Sequence, residues 1–391
     1  MDSKKLIILY WASFDNRVKT LFDLPYLLER GVEIEYWDVS AITIKEYKIR
    51  ECPVLSGIEH KKINDKKHFI FEVKKVRSED AIFLVFMNYG SVSYFCFRTL
   101  SKYRCSMMYC INGIMPQLSG KERLRYRLVN IFSHRLWRTL KERWYLLLEK
   151  TILIRPVDVL LKCCEKSTHY GNCKIGNKTK NININSGDFQ MAKFSPFNNN
   201  LIPDYNFLVF IDQNLPFHPD NTIHNIRLDS KEYFDAMNKI FDALEKKYST
   251  KIVIAAHPSA SSRYLKEDFF NGREVIPNKT MELVKFSEGV ITHGSTAVSY
   301  PIIFEKRMMY VSTKAMCKSI NGLHDKLCLR ASIIGCPYIK SEDGLDLPDD
   351  WNMNTELYHR YLYSYLCNED SENTPNGEII FNVLRNSINS L

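Results

Sequence analysis

Apolar residues fall along this chain in two recurring patterns, short solid runs and longer stretches with helical spacing. Leu6–Trp11 is a solid run. Asn16–Arg30 follows, with Val18, Leu21, Phe22, Leu24, Leu27 and Leu28 spaced for one helical face, and Gly31 stands where a C-terminal cap belongs. Val32–Val39 is the next run. His68–Val73, Ala81–Met87 and Ser106–Ile111 predict further strands, with a helix near Val92–Lys102. Strands alternating with helices predict a parallel sheet covered on both faces.

The second half alternates more cleanly. Phe207–Asp212, Lys251–Ala256, Glu274–Ile276, Gly289–Thr292 and Arg307–Ser312 read as strands. Between them Ser230–Tyr248, with Ser230 as its N-cap, Thr280–Phe286 and Ser295–Phe304 read as helices. Glu356–Cys367 and Gly377–Leu391 form a helical tail. From about Tyr170 to Asn200 the chain is rich in Asn, Lys, Gly and Ser, and with Asn198-Asn199-Asn200 and Pro203 it predicts an interdomain linker. The expectation is an α/β protein of two Rossmann-like domains, residues 1–200 and 201–391, and 391 residues are comfortable for two cores.

Lys121–Lys150 departs from this pattern. It is helical and basic, nine Lys and Arg against three Glu, with Tyr126, Leu128, Phe132, Leu136, Trp137, Trp144 and Leu147 interleaved. Two readings stay open: a solvated basic face, or a patch drawn to anionic lipid.

Composition narrows the class without naming a function. The chain is 45% apolar and 25% charged, as globular proteins are. A net charge of +9 favours anionic partners: nucleotides, phosphates or an anionic membrane surface. The run Leu6–Trp11 is too short to span a bilayer and no small-residue cleavage site follows it, so a cytoplasmic protein is expected. Eleven scattered cysteines without a Cys-x-x-Cys pair fit that compartment. Cys163, Cys164, His169 and Cys173 cluster in the sequence, but at no standard zinc spacing, so no metal is expected. The sequons at Asn177 and Asn278 carry no meaning in the cytoplasm.

In a doubly wound sheet, ligands sit at the carboxyl ends of the strands. Three such ends are polar: Asp212-Gln213-Asn214, His257-Pro258-Ser259 and His293-Gly294-Ser295-Thr296. The last is a strand, a glycine turn and a helix start. Its free N–H groups and hydroxyls suit a phosphate, while an ordinary N-cap explains Ser295 or Thr296 equally well. Pro258 turns the chain out of the sheet and sets His257 at its edge. His257 and His293 together would hold a phosphate and neutralise a departing one.

His257-Pro258 after one strand, Gly294-Ser295-Thr296 at a later turn, and Phe304-Glu305-Lys306-Arg307 entering a strand resemble bacterial surface-polysaccharide glycosyltransferases of the GT-B fold. The opening, with Arg30-Gly31-Val32-Glu33-Ile34-Glu35-Tyr36-Trp37-Asp38-Val39-Ser40, resembles them too. Related architectures are sialyltransferases, polysialyltransferases, Kdo transferases and CDP-glycerol polymerases. The resemblance implies two domains facing across a cleft, with His257, Pro258, Ser295 and Thr296 contacting a cytidine nucleotide. There are two departures. Glu342-Asp343-Gly344 follows the His-Pro instead of preceding it, so no base is carried over from that motif. No Asp-x-Asp motif is present, so charge on the leaving phosphate would be met by side chains and a helix start, not by metal.

The expected function is a membrane-associated glycosyltransferase building a surface glycan, with no cofactor and no nucleic-acid partner. A nucleotide-activated sugar, first choice a CMP-activated nonulosonic acid or Kdo, would bind the C-terminal domain. A glycan or lipid-linked glycan acceptor would bind the N-terminal domain. Asp15, in the loop after the first strand, is the candidate base; it also reads as a plain helix cap, and Asp38 is the reserve. The alternatives are a UDP-sugar or CDP-polyol transferase, a nucleotide-sugar epimerase, and a non-catalytic subunit of a polysaccharide assembly complex.

Overall fold

A computed structural model of the chain describes residues 5–43, 55–76, 80–112, 115–118, 135–169, 173–197, 199–218, 221, 226–264, 266–341 and 345–386. The chain divides into two compact units.

The first unit holds β1 (Lys5–Tyr10), β2 (Ile34–Asp38), β3 (Ile58–Lys62), β4 (Ala81–Val85), β5 (Ser106–Ile111), β6 (Val159–Lys162) and β7 (Lys180–Asn183), in the order β3-β2-β1-β4-β5-β6-β7. All of these pairings are parallel. Successive side chains of a strand point to opposite faces. Ile7 and Leu9 accordingly join Trp37, Phe83, Val85 and Tyr109 in one core. Leu6 and Ile8 join Ile34, Tyr36, Ile82 and Leu84 in the other. Two buried faces are why these strands read as solid apolar runs.

The helical stretch after β1 is broken in two, Asn16–Leu21 and Leu24–Glu29, because Asp23 adopts a left-handed φ of 47° and Pro25 opens the second helix. Gly31, at φ +77°, closes it as expected: the Val32 N–H reaches the Leu27 carbonyl at 3.0 Å and the Gly31 N–H that of Leu28 at 2.9 Å.

The second unit, built on Ser195–Leu362, holds β8 (Phe207–Ile211), β9 (Lys251–Ala256), β10 (Val275–Pro277), β11 (Gly289–Thr292), β12 (Arg307–Ser312) and β13 (Tyr338–Lys340). Their order is β10-β9-β8-β11-β12-β13, again all parallel. Counted within each unit, the first sheet runs 3-2-1-4-5-6-7 and the second 3-2-1-4-5-6, the doubly wound order whose switch point lies between the first and fourth strands.

Four sequence expectations are corrected. His68–Val73 is not a strand but part of the helix Lys66–Lys75: the Asp65 carboxylate accepts the His68 N–H, and Phe69 and Val73 bury one helical face. The Asn-rich stretch from Tyr170 to Asn200 is not a free linker, since it contributes β7 and the helix Gly187–Phe194 to the first unit. Asp229, not Ser230, caps the helix Ser230–Tyr248, accepting the Glu232 N–H at 2.8 Å. The tail does not stay with the second half. Residues 363–386 belong to the first unit, where Ile380, Phe381 and Leu384 complete a sheet face.

Candidate functional site

The switch point of the second sheet lies between β8 and β11, whose ends are in register at Ile211 and Thr292. β9 flanks β8, with Ile211 opposite Ala255. All three polar strand ends predicted from the sequence therefore emerge at one edge of one sheet.

Asp212 follows β8 and is buried. Its carboxylate accepts the Asn214 N–H at 2.9 Å and the His257 N–H at 3.2 Å, so it ties the first two strand ends together. Burial pushes its carboxyl above the usual carboxylate range, and these N–H donors oppose that. Asp212 is thus a strut under the site. Gln213 is half-buried beside it. Asn214 takes a left-handed φ of 51°, which Asn tolerates better than most residues. Its Nδ2 donates to Ser259 Oγ at 3.0 Å, while its buried Oδ1 has no hydrogen-bond partner among the described residues.

His257 is half-buried and Pro258 exposed. The Ser259 N–H donates to His257 Nδ1 at 3.2 Å, and Ser259 Oγ lies 2.8 Å from the same nitrogen. A nitrogen that accepts from a main-chain N–H carries no proton, so the neutral ring bears its proton on Nε2. The fold thereby sets His257 as an Nε2–H donor.

The second expected histidine is placed differently. His293 is fully enclosed: Nδ1 donates to the Val311 carbonyl at 2.7 Å, and Nε2 accepts from the Tyr233 hydroxyl at 2.9 Å. Desolvation lowers its pKa to about 4, so the ring is neutral. Both nitrogens are committed to the framework, and the phosphate contact expected of His293 is withdrawn. The histidine beside His257 is His218, its ring centroid 5.5 Å away in an edge contact. The sequence did carry a signal for it, a second His-Pro dipeptide at His218-Pro219.

Gly294 has a φ of +102°, and its N–H donates to Thr292 Oγ1 at 3.3 Å. Ser295 caps the short 3₁₀ turn Thr296–Val298, accepting the Ala297 N–H at 3.2 Å, and Thr296 is exposed at the rim. Arg330, which no motif flagged, donates from Nη1 to the Gly294 carbonyl at 2.9 Å.

In the first unit, Asp15 caps the helix Asn16–Leu21 through the Val18 N–H at 3.0 Å and pairs with Arg17 Nε at 3.3 Å. The structure thus gives it the cap role. Asp38 accepts the Ser40 N–H at 2.8 Å. Glu342, Asp343 and Gly344 lie outside the described residues, as do residues 121–134 of the basic segment. Among the described residues, no three His, Cys, Asp or Glu side chains form a metal-holding group, and no helix is long and apolar enough to cross a membrane. A cavity of about 780 Å³ opens at the opposite, amino-terminal edge of the second sheet, by Lys251 and Glu274. Charged groups there serve one another: Arg273 bonds Asp242 and Glu245, and the Tyr205 hydroxyl bonds Glu274.

No protein-family model and no curated protein matches the sequence. Among solved structures, the chain is similar to the UDP-GlcNAc 2-epimerase of Methanocaldococcus jannaschii, at 14% identity and a TM-score of 0.50, over 98% of this chain and 99% of that one. It is also similar to the UDP-GlcNAc 2-epimerase of Neisseria meningitidis bound to UDP-GlcNAc, at 11% identity and a TM-score of 0.44, covering 99% and 100%. A calicheamicin glycosyltransferase aligns at 11% identity and a TM-score of 0.43, covering 99% and 94%. At such identities the likeness is one of fold, and with the two parallel sheets it makes this a GT-B-type α/β protein.

Proposed function

We propose that the protein is a glycosyltransferase whose nucleotide-activated donor binds at the carboxyl edge of the second sheet. The observation that supports this reading is the meeting of Asp212-Gln213-Asn214, His257-Pro258-Ser259 and Gly294-Ser295-Thr296 around one switch point. In this reading His257 offers Nε2–H to the donor phosphate, which gains charge as its bond to the sugar breaks. No metal takes part. A CMP-activated acidic sugar is the first choice of donor on the sequence resemblance, with a UDP-sugar or CDP-polyol next. A glycan or lipid-linked glycan acceptor is assigned to the first unit, at the inner face of the plasma membrane.

Calorimetry with CMP, CDP and UDP in EDTA tests the donor assignment. Heat from at least one is expected, and silence from all three overturns it. Removing one hydrogen bond to developing charge costs about 2.7–4 kcal/mol, roughly a hundred- to a thousandfold in turnover. His257→Ala should lose that much activity at an unchanged melting temperature. Near-normal turnover would reject the role.

A second reading, a nucleotide-sugar epimerase, is favoured by the fold shared with the Methanocaldococcus jannaschii enzyme. An epimerase converts a UDP-sugar with no acceptor present, so product analysis of that incubation separates the two.

A further inference from the structure

A guanidinium is always charged and carries five N–H donors. Folds that bury one normally surround it with acceptors, because an unpaired buried charge is costly. Arg273 of the second unit follows that rule: its side chain is 7% exposed and is bonded by Asp242, Glu245, Asn238 and the Phe270 carbonyl.

Arg330 breaks it. This residue, on the helix Leu323–Ile334, is part-buried, and its one hydrogen bond among the described residues goes to the Gly294 carbonyl. Among those residues no carboxylate pairs with it, and its buried Nε has no partner there either. Space has been made for it. A Cβ at position 294 would lie 2.7 Å from Arg330 Nη1 and 3.0 Å from Leu327, so the guanidinium occupies room that only glycine leaves. That glycine turn is the one following β11 at the switch point.

We infer that Arg330 is the fixed cation of this edge, a phosphate-binding residue that takes oxygens of the nucleotide's phosphate group at the Gly294 turn. This rests on the reading that the edge binds a nucleotide-activated sugar, and adds a residue that neither motif nor resemblance assigned. The planar fork suits two phosphate oxygens at once, which an ammonium cannot match.

The test is calorimetry in EDTA with UDP, CMP and inorganic pyrophosphate, on the intact protein and on Arg330→Gln and Arg330→Lys, with melting temperatures and a salt series. Losing a charged hydrogen bond predicts about tenfold to a hundredfold weaker binding of the phosphate-bearing probes in Arg330→Gln, with a shallower salt dependence. A lost structural prop would lower the melting temperature and leave the salt dependence unchanged. Arg330→Lys should fall between the other two, and carries the comparison alone if the glutamine variant does not fold. Nucleotide binding equal to wild type in both variants overturns the role of Arg330 and leaves the donor reading standing. Pyrophosphate bound in an Arg330-dependent way without any nucleotide binding overturns the donor reading and leaves the anion site. No binding of any probe to the wild-type protein overturns both.

Discussion

His257 and His293 look alike in the sequence, each ending an apolar strand and each followed by a small or turn-forming residue. What separates them is what their ring nitrogens touch. Position at a strand end is legible from hydrophobic runs and turn residues. The direction of a side chain depends on partners 18 and 60 residues away, Val311 and Tyr233, and is not. The burial of His293 has a measurable consequence. Its folded pKa of about 4 lies below the ordinary 6.5, so between those values the unfolded chain binds a proton that the folded chain does not. Stability contributed by this residue is therefore intact above pH 6.5 and is lost as the pH falls toward 4, by about 3 kcal/mol in all. Denaturant titrations at intervals across that range should show the fall in the wild type and a flatter profile in His293→Gln. Parallel profiles for the two proteins would contradict it. Arg330 marks the other limit of sequence reading: nothing in its neighbourhood along the chain announces the Gly294 turn, 36 residues earlier, that it serves.

Strands buried on both faces announced themselves. β1, β2, β4 and β5 and five of the six strands of the second sheet were legible as apolar runs. Of the strands that escaped, β3 and β7 are largely polar, and β6 and β13 run only four and three residues. Their pairing comes from neighbours already in place, not from a periodicity of their own. The helix Arg135–Glu149, in the described part of the basic segment, leaves an apolar face exposed. Its inner side is held by the Tyr89 hydroxyl on the Tyr145 carbonyl, by Ser91 on Glu142 and by the ring contact of Tyr94 with Tyr145. Its outer side leaves Leu140, Trp144 and Leu147 exposed, Trp144 at 61%, with Ile152 at 97% just beyond, and Lys141, Arg143 and Lys150 among them. Apolar side chains at helical spacing with cations between them fit the surface of an anionic bilayer, where each Lys or Arg contributes about 1 kcal/mol. Sedimentation with vesicles should show binding to anionic lipid that weakens with salt, and Trp144→Ser with Leu147→Ser should weaken it at every salt concentration. Equal partition into neutral and anionic vesicles would sink the assignment.

At the scale of the whole chain, the feature least visible in the sequence is the return of the tail. Chain order suggested that residues after the linker stay together, yet residues 363–386 fold onto the first unit. The clamp is a buried amide cluster joining segments nearly 200 residues apart. The Asn376 side chain accepts the Asn185 N–H at 2.7 Å and donates to the carbonyls of Leu21 and Asn185 at 2.7 and 2.8 Å. Asn185 in turn donates to the carbonyls of Ser371 and Thr374, both at 3.0 Å. Asn376→Ala would strand these main-chain groups in the interior, at about 1–3 kcal/mol for each orphaned group. The expected result is a loss of about 2 kcal/mol or more in the first unit, read as an earlier unfolding transition by the fluorescence of the buried Trp37. The second unit keeps its own core and should unfold as before. Asp370→Ala is the control. Its carboxylate also bridges tail and body, on the Asn183 amide at 2.9 and 3.0 Å, but at an exposed site where water replaces a lost partner. That variant should cost under about 1 kcal/mol, within the ordinary net worth of a hydrogen bond. Equal losses in the two variants would mean that the tail is held by its apolar face of Ile380, Phe381 and Leu384, with the amide cluster adding nothing.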